Sequence, residues 1–426
     1  MAQPRRKLRK VPGTQRTVTA EETFARAQPV AKSLGVTRLA DITGLDRIGI
    51  PTYCAVVPRS DDELSVYNGK GLRDIDAKTG ALMEAVERQT ALHARLPIVE
   101  GSFEELRQKY AVLDPRDVKE ILAADYSEAR TYGWVAGRDL MGGREVLVPA
   151  KLAGYLWHDV PHPSCFAFTS TNGMAAGNIR EEAICQALCE VIERDAWTLA
   201  EVGAHLLPWA RQRIADPNNT EAPSDDLELF PCVDLDDDPA VELFARAGLR
   251  PVVHDITSDL GIPTLFAAVA DEMIPGFPMV HCGLGTHPDA RVAARRALTE
   301  AAQSRCVDIQ GVREDLMPVD APPSQLNLHT RRVRAVNRQQ WYLGQSNVRR
   351  RITDLPSASH DDVGEDLDHL LAQLSARGIN QVIVIDFTPP DAPFAVVRVM
   401  VPGLETWAIA HGPLGPRTME FWRKHA

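Results

Sequence analysis

EEAICQALCEVIERDA, residues 181–196, decides how this chain is read. Apolar Ala187, Leu188, Val191 and Ile192 recur at helical spacing, while Glu190 and Glu193 stand at i and i+3 on one face. The centre of the segment, ALCEVIER at 187–194, has an earlier near-copy, ALMEAVER at 81–88, identical at five of eight positions. There Glu84 and Glu87 form the same pair. A degraded third copy, ALTEAAQSR, spans 297–305, with Gln303 where the second glutamate would stand. Short helices rich in Ala, Leu and Glu match one another by chance, because these are favoured helix residues. The charges are placed otherwise than chance would place them: each glutamate pair converges on one spot among apolar neighbours, with no lysine at i+4. Partly buried, paired carboxylates need cations. On the helices alone two readings stay open. Arg88 and Arg194 complete a structural network, or the carboxylates hold Mg2+, which takes one or two of them and fills its octahedron with phosphate oxygens.

Working outward, NGKGL (68–72) precedes the first helix and sets Lys70 between two glycines, where backbone N–H groups and an ammonium approach phosphate. STNGMAAGNIREE (170–182) precedes the second and is a small-residue loop entering a helix N-terminus, which favours an anion. Each alone reads equally well as a turn and a capped helix. Both, upstream of carboxylate helices, point to ATP chemistry without a P-loop. The chain has no GxSxG elbow and no HExxH, and GLGTHP (283–288) falls short of GxGxxG.

With 426 residues, 44% hydrophobic and 25% charged, the chain is of globular α/β or α+β class. A net charge of −11 argues against nucleic acid or anionic membrane as partner. Seven scattered cysteines without a CxxC pair indicate neither a disulfide framework nor a zinc ribbon, and a reducing cytoplasm is the expected location. Residues 1–34 read as a basic, loosely ordered arm and 35–426 as one catalytic domain. Helices are expected over Asp74–Arg95, about Arg180–Ala200, Asp289 to about Arg305, and from Asp361 to Gly378. Strands are expected at PVVHDIT, TLFAAVA, PMVHCG, QVIVIDF and FAVVRVMV. The acid-rich stretch Asp216–Asp238 reads as an exposed connection. The run Arg331–Arg351, with seven arginines around Trp341 and Tyr342, reads as a surface loop.

These motifs, with TRLADITGLDRIGIP (37–51), RRALTEAAQSR (295–305) and VPGLE (401–405), resemble the YcaO family from about Gly35 to Arg417. The resemblance implies a YcaO-type α/β fold of mixed sheets packed with helices, here with an internal pseudo-repeat of carboxylate-bearing helices. It also implies an enzyme that uses ATP and Mg2+ to phosphorylate the oxygen of a backbone amide in a ribosomally made precursor peptide. The nucleophile then sets the product: thioamide from sulfide, azoline from a Cys, Ser or Thr side chain, macroamidine from an amine. A catalytically silent peptide-binding scaffold is the alternative of another class.

Carried over residue by residue, Glu84, Glu87, Glu190 and Glu193 are the implied Mg2+ ligands, with Glu182 adding a carboxylate. Lys70, Arg88, Asn178, Glu182, Gln303 and Arg305 are the implied nucleotide contacts. Glu190, Glu193 and Arg194 are catalytic, and His411 is expected to handle protons near the C-terminus. Where the family often has a serine four residues before the first glutamate, this chain has Gly80, with Thr79 as the expected substitute hydroxyl. The ending GPRTMEFWRKHA lacks the PxPxP tail of many azoline formers, and the arm is too short for an attached leader-binding domain. The wording is closest to stand-alone members associated with a TfuA partner, which form thioamides, or to bottromycin-type members. Thioamidation is the favoured expectation, with a TfuA-like or other peptide-binding partner; a homodimer is compatible with the sequence.

Overall fold

The computed structural model describes residues 7–425 except 12–13, 59, 63, 158, 168–169, 220–222, 224–225, 227, 236, 275–276, 312–339 and 359. The first half contains α1 (Ala20–Ser33), β1 (Arg38–Asp41), β2 (Thr52–Val56), β3 (Val66–Lys70), α2 (Asp74–His93) and β4 (Val99–Ser102). It continues with α3 (Phe103–Leu106), β5 (Thr131–Asp139), β6 (Glu145–Pro149), α4 (Ala150–Ala153), β7 (Met174–Gly177) and α5 (Arg180–Glu201). After a π-helical turn at Val202–Leu206 come α6 (Leu207–Ala215), β8 (Cys232–Asp234), α7 (Pro239–Arg246) and β9 (Val252–Asp255). Then follow β10 (Thr264–Ile274), β11 (Phe277–Thr286), α8 (Ala290–Gly311), β12 (Arg349–Arg351), β13 (Ile383–Asp386) and β14 (Ala395–Met400).

These strands form three sheets, ordered β1-β2-β3, β11-β10-β9-β8-β12 and β4-β5-β13-β14-β7, with β6 paired to β5. Their pairings are antiparallel except β8 with β12. Helix α2 lies on the first sheet, α8 on the second and α5 on the third. The architecture is the expected mixture of sheets packed with helices. The repeat seen in the helices does not extend to the sheets, which differ in strand number and order.

Small residues set how closely each carboxylate helix sits on its strand. The buried face of α8 is Ala290, Ala293, Ala294, Ala297, Leu298, Ala301 and Ala302. It rests on β11 so closely that a Cβ at Gly283 would stand 2.2 Å from the Ala297 carbonyl oxygen. On the first sheet a Cβ at Gly69 would stand 2.0 Å from the Ala77 oxygen. Opposite it, Gly80 has its Cβ position 3.3 Å from the Gly69 Cα. A side chain at 80 would therefore ask α2 to shift from β3 by a few tenths of an ångström.

Three expectations change. The arm is not loose over its described part: Thr19 caps α1 by accepting from Glu22 N–H at 3.2 Å, and buried Ala27 and Ala31 let α1 pack on α2. Ahead of it, Lys10 Nζ lies 2.6 Å from Asp366 Oδ2, on the helix Val363–Ala376. Next, the acid-rich connection and the arginine run meet instead of forming two loops. Strand β12 pairs with β8, Arg349 binds Asp234, and Arg350 Nη1 binds Asp255 Oδ2 at 2.9 Å. Trp341 and Tyr342 are buried against Phe266, while Arg331, Arg332, Arg334 and Arg338 lie outside the described residues. Finally, α8 runs to Gly311, beyond the expected end near Arg305. No helix among the described residues is long and apolar enough to cross a membrane.

Candidate active site

Strands β3, β7 and β11 are each an edge of their sheet. Edge strands carry backbone N–H groups that need partners, and here each strand finds one in a glutamate of an adjacent helix. Asn68 N–H donates to Glu84 Oε2 at 2.9 Å, Ala176 N–H to Glu87 Oε2 at 3.1 Å, and Leu284 N–H to Glu300 Oε1 at 3.4 Å. The three edges surround one cavity of about 1660 Å3, lined by Glu84, Glu87, Glu190, Glu193 and Glu300.

Charge within the cavity is unbalanced. Lys70 Nζ binds Glu300 Oε2 at 2.6 Å, and Arg194 Nη2 lies 3.6 Å from Glu193 Oε1. Arg296 also lines the cavity, held by Gln186 Oε1 at 2.8 Å. Arg88, whose charge acts on Glu84 and Glu87, makes four cations beside the five glutamates. Burial raises the Glu84 and Glu193 carboxyls above their usual range. Burial, then the charges of Glu190 and Glu84, pushes Glu87 well up. Glu190 is pushed up to about 7 by burial, with Glu193 and Glu300 adding to it against the pull of Arg194. Glu300 goes the other way: burial opposes its ionisation, but Lys70 and Arg194 outweigh burial and hold it below its ordinary value.

Crowded carboxylates held above their ordinary pKa are a donor set short of cations, and oxygen donors suit a hard divalent ion. They fit Mg2+ in a particular way. Among the described residues no group of three or more His, Cys, Asp or Glu side chains stands ready to hold a metal alone. The expected metal carboxylates are therefore separate groups around a cavity, the arrangement in which Mg2+ takes some of its oxygens from substrate phosphates.

The remaining expectations divide. Lys70, Asn178, Arg194 and Gln303 line the cavity. So does Arg88, but its Nε and Nη2 are engaged by Asp62 at 3.2 and 3.1 Å. Glu182, expected as a metal carboxylate, is fully buried and turned to the arm: Thr17 N–H and Oγ1 bind its Oε1 at 2.6 Å, and Asn178 N–H binds Oε2 at 2.9 Å. With both oxygens engaged it positions Asn178 and ties down the arm. Arg305, expected at the nucleotide, is buried in an ion-pair network, its Nε 2.9 Å from both Asp46 oxygens and its Nη2 2.7 Å from Asp271. His411 is exposed, packs edge-on against Trp407, and does not line the cavity. Thr79 spends its hydroxyl on the carbonyls of Ala20 and Ile75, at 3.0 and 2.7 Å.

Of the cavity residues that escaped sequence reasoning, two stand beside the predicted glutamates. Glu300 occupies in ALTEAAQSR the place of Glu84 and Glu190, a signal hidden by the loss of its partner at 303. Arg296, one turn before Glu300, was legible only by extending that helix face backwards.

A family model described as "YcaO cyclodehydratase, ATP-ad Mg2+-binding" matches residues 68–405. A Rhizobium leguminosarum bv. trifolii protein, named as uncharacterised in the tfuA 3′ region, is 34% identical over 92% of this chain and 88% of its own. An uncharacterised Methanothermobacter thermautotrophicus protein is 34% identical over 94% of this chain and 97% of its own. Among solved structures, YcaO from Methanopyrus kandleri bound with AMPPCP and Mg2+ superposes with a TM-score of 0.69 at 25% identity, covering 94% of this chain and 96% of that one. A heterocyclase in complex with substrate and cofactor shares the fold, with a TM-score of 0.72 at 22% identity over 95% of this chain and 54% of its own.

Proposed function

We start from the premise that this chain belongs to the YcaO family and is an ATP- and Mg2+-binding enzyme, and we propose that it activates a peptide backbone amide by phosphorylating the amide oxygen. The observation that carries this reading is the convergence of Glu84, Glu87, Glu190, Glu193 and Glu300 on one cavity. At about 1660 Å3 that cavity exceeds the roughly 300–1,000 Å3 of an ordinary small-molecule site, leaving room for a peptide segment beside a nucleotide.

Glu84, Glu87, Glu190 and Glu193 are the residues that would hold Mg2+. The ion supplies positive charge against the phosphates and the phosphoryl group in transfer. Lys70, Arg194 and Arg296 are the cations for phosphate oxygens. Asn178 and Gln303 are polar contacts for the nucleotide, and Arg88, clamped by Asp62, braces α2. An amide carbonyl is a poor electrophile because of its resonance, and phosphorylation turns its oxygen into a leaving group. We read the three pairs of edge strand and carboxylate helix as copies of one unit around which the sheets diverged. The contact from edge amide to the first glutamate of the motif recurs in two of them, Asn68 to Glu84 and Leu284 to Glu300, whereas β7 takes Glu87 from α2.

Thioamide formation, with a TfuA-like protein as partner, is the product we favour. It is supported by the 34% identity to a protein encoded in the 3′ region of tfuA. The test is to incubate the enzyme with Mg2+·ATP, hydrosulfide and peptides synthesised from the short reading frames flanking its gene, with and without the neighbouring partner. Exchange of one oxygen for sulfur in a peptide, with ADP released, is expected. Loss of one water from the peptide would mean azoline formation, and ADP formation without any modified peptide would refute amide activation.

A further inference from the structure

Strand β11 meets the cavity along its outer edge, which is covered at one end and open at the other. On β10, the Thr264 carbonyl accepts from Ile256 N–H on the β9 side, so Leu265, Ala267 and Val269 turn to β11 and bond Gly285, Gly283 and His281. The alternate residues Val280, Cys282 and Leu284 therefore direct their backbone N–H and C=O away from the sheet. At the inner end these groups are spent: Leu284 N–H donates to Glu300, and the Cys282 carbonyl accepts from Ser304 Oγ at 2.8 Å. At the outer end the N–H and C=O of Val280 and the N–H of Cys282 bond nothing among the described residues. Both residues are half-buried and line the cavity.

The other two edges offer less. On β7, Ala176 N–H goes to Glu87 and its carbonyl accepts from Arg16 Nη1 at 3.3 Å. On β3, Asn68 N–H goes to Glu84, which leaves Val66 at the first position of the strand. The open stretch of β11 also has apolar surface beside it, because Val280 and Cys282 share a cluster with half-buried Trp197 of α5. Unpaired edge groups are a template for another strand. Val280 lies four residues from Leu284, about 13 Å along the strand, so a chain laid on this edge runs from the apolar end to the carboxylates.

We infer that the outer edge of β11 is the binding site of the peptide substrate, which pairs there as an added strand and so delivers its next amide to the glutamates. A substrate N–H donates to the Val280 carbonyl, and substrate carbonyls accept from the N–H groups of Val280 and Cys282. Substrate residues standing opposite Val280 and Cys282 set their side chains on the face of Trp197, which selects an extended segment with apolar residues at alternate positions. The inference rests on the amide-activation reading for the identity of its occupant.

The test titrates the full chain, saturated with Mg2+·AMPPCP, into fluorescein-labelled peptides synthesised from the short reading frames flanking its gene, with anisotropy as the readout. N-methylation of the bound peptide, one amide at a time on the wild-type enzyme, should raise Kd about tenfold at alternate residues and less than about twofold at those between. Val280→Pro removes an outward N–H without breaking a bond to β10, and Pro278 already stands two residues earlier in the same strand. It should raise the peptide Kd about tenfold and leave the Kd for Mg2+·AMPPCP within about twofold. If this variant does not fold, the N-methyl scan decides. Effects without alternation, unchanged peptide affinity in V280P, or no binding by any flanking peptide would overturn the inference. So would a lower solution mass for V280P with peptide affinity kept, which would give the edge to a second copy. Because binding needs no chemistry, the two readings fail separately. A peptide that binds with this alternation but is left unmodified by Mg2+·ATP and hydrosulfide refutes amide activation and supports the edge site; one that is modified yet tolerates every N-methyl group does the reverse.

Discussion

Helix α8 contributes to two charged clusters, five residues apart and built on opposite plans. At Arg305 one guanidinium meets two carboxylates, Asp46 and Asp271, at 2.9 and 2.7 Å, and side-chain exposure is 2% for Arg305 and Asp46. At Glu300 the helix joins a cavity where five carboxylates face fewer cations, and four of them are driven above their ordinary pKa. The first cluster balances its charge without a ligand, since Arg47 Nη2 also meets Asp271 at 3.0 Å, although Arg305 Nη1 bonds nothing among the described residues; the second is left for a ligand to balance. Paired buried charges hold a fold in one arrangement, whereas crowded like charges persist where something binds them, since they cost stability otherwise. Sequence put Arg305 at the nucleotide and passed over Glu300, although both stand in the helix that copies the glutamate motif.

The contrast can be broken at either end. The largest effect expected is in Glu193→Gln or Glu190→Gln, which should lower nucleotide turnover by about 100- to 1,000-fold and leave the Tm of the ligand-free protein unchanged or raised, since each removes a like charge. A marked fall in Tm would make the glutamates structural. Arg305→Met should do the reverse, costing about 3–5 kcal/mol in denaturant unfolding by stranding Asp46 and Asp271, with Mg2+·AMPPCP affinity kept; lost affinity with kept stability would put Arg305 back in the site.

The difference is sharpened by pH. Glu84, Glu87, Glu190 and Glu193 hold protons more tightly folded than unfolded, so their contribution to stability is fully present below 4.5 and is lost as pH rises, for Glu190 through about 7. Glu300 has the opposite sign, its contribution lost as pH falls below the ordinary carboxylate range. Because His254, His287, His369 and His425 are held below their ordinary value and act the other way over the same range, the ligand shift is the reading that isolates the cavity: between about pH 4.5 and 7, Mg2+·AMPPCP should raise Tm more at the top of the window than at the bottom. A shift independent of pH would deny the link between protons and metal. Glu182→Gln should cost about 1–3 kcal/mol, by upsetting the bonds from Thr17 and Asn178, and expose residues 7–19 to proteases. Smallest of all, His411→Ala should change stability by less than about 0.5 kcal/mol and turnover not at all; a real loss of turnover would bring the C-terminus into the site.

Much of the site was legible because a helix advertises its faces. Glu84, Glu87, Glu190 and Glu193 could be picked out by spacing alone, since i and i+3 share a side whatever the rest of the chain does. Lys70 and Asn178 followed from small-residue turns beside those helices. Strands β9, β10 and β11 were equally visible as apolar runs between turn residues. What spacing does not reveal is the partner across space. Arg305 looked like Arg88 and Arg194, yet Asp46, 259 residues away in sequence, claims it. Glu182 looked like one more carboxylate, yet Thr17 binds it from across the arm.

By itself, then, the sequence determined which helices carry acid on one face, where small residues let strands approach them, and which family chemistry those motifs resemble, because all of these are periodicities read along one chain. Only the tertiary structure decided that three sheet edges meet at one cavity, that Glu300 and Arg296 belong to it, and that Glu182, Arg305 and His411 look elsewhere. A side chain's task is set by the nearest opposite charge or open space, and long-range folding supplies both.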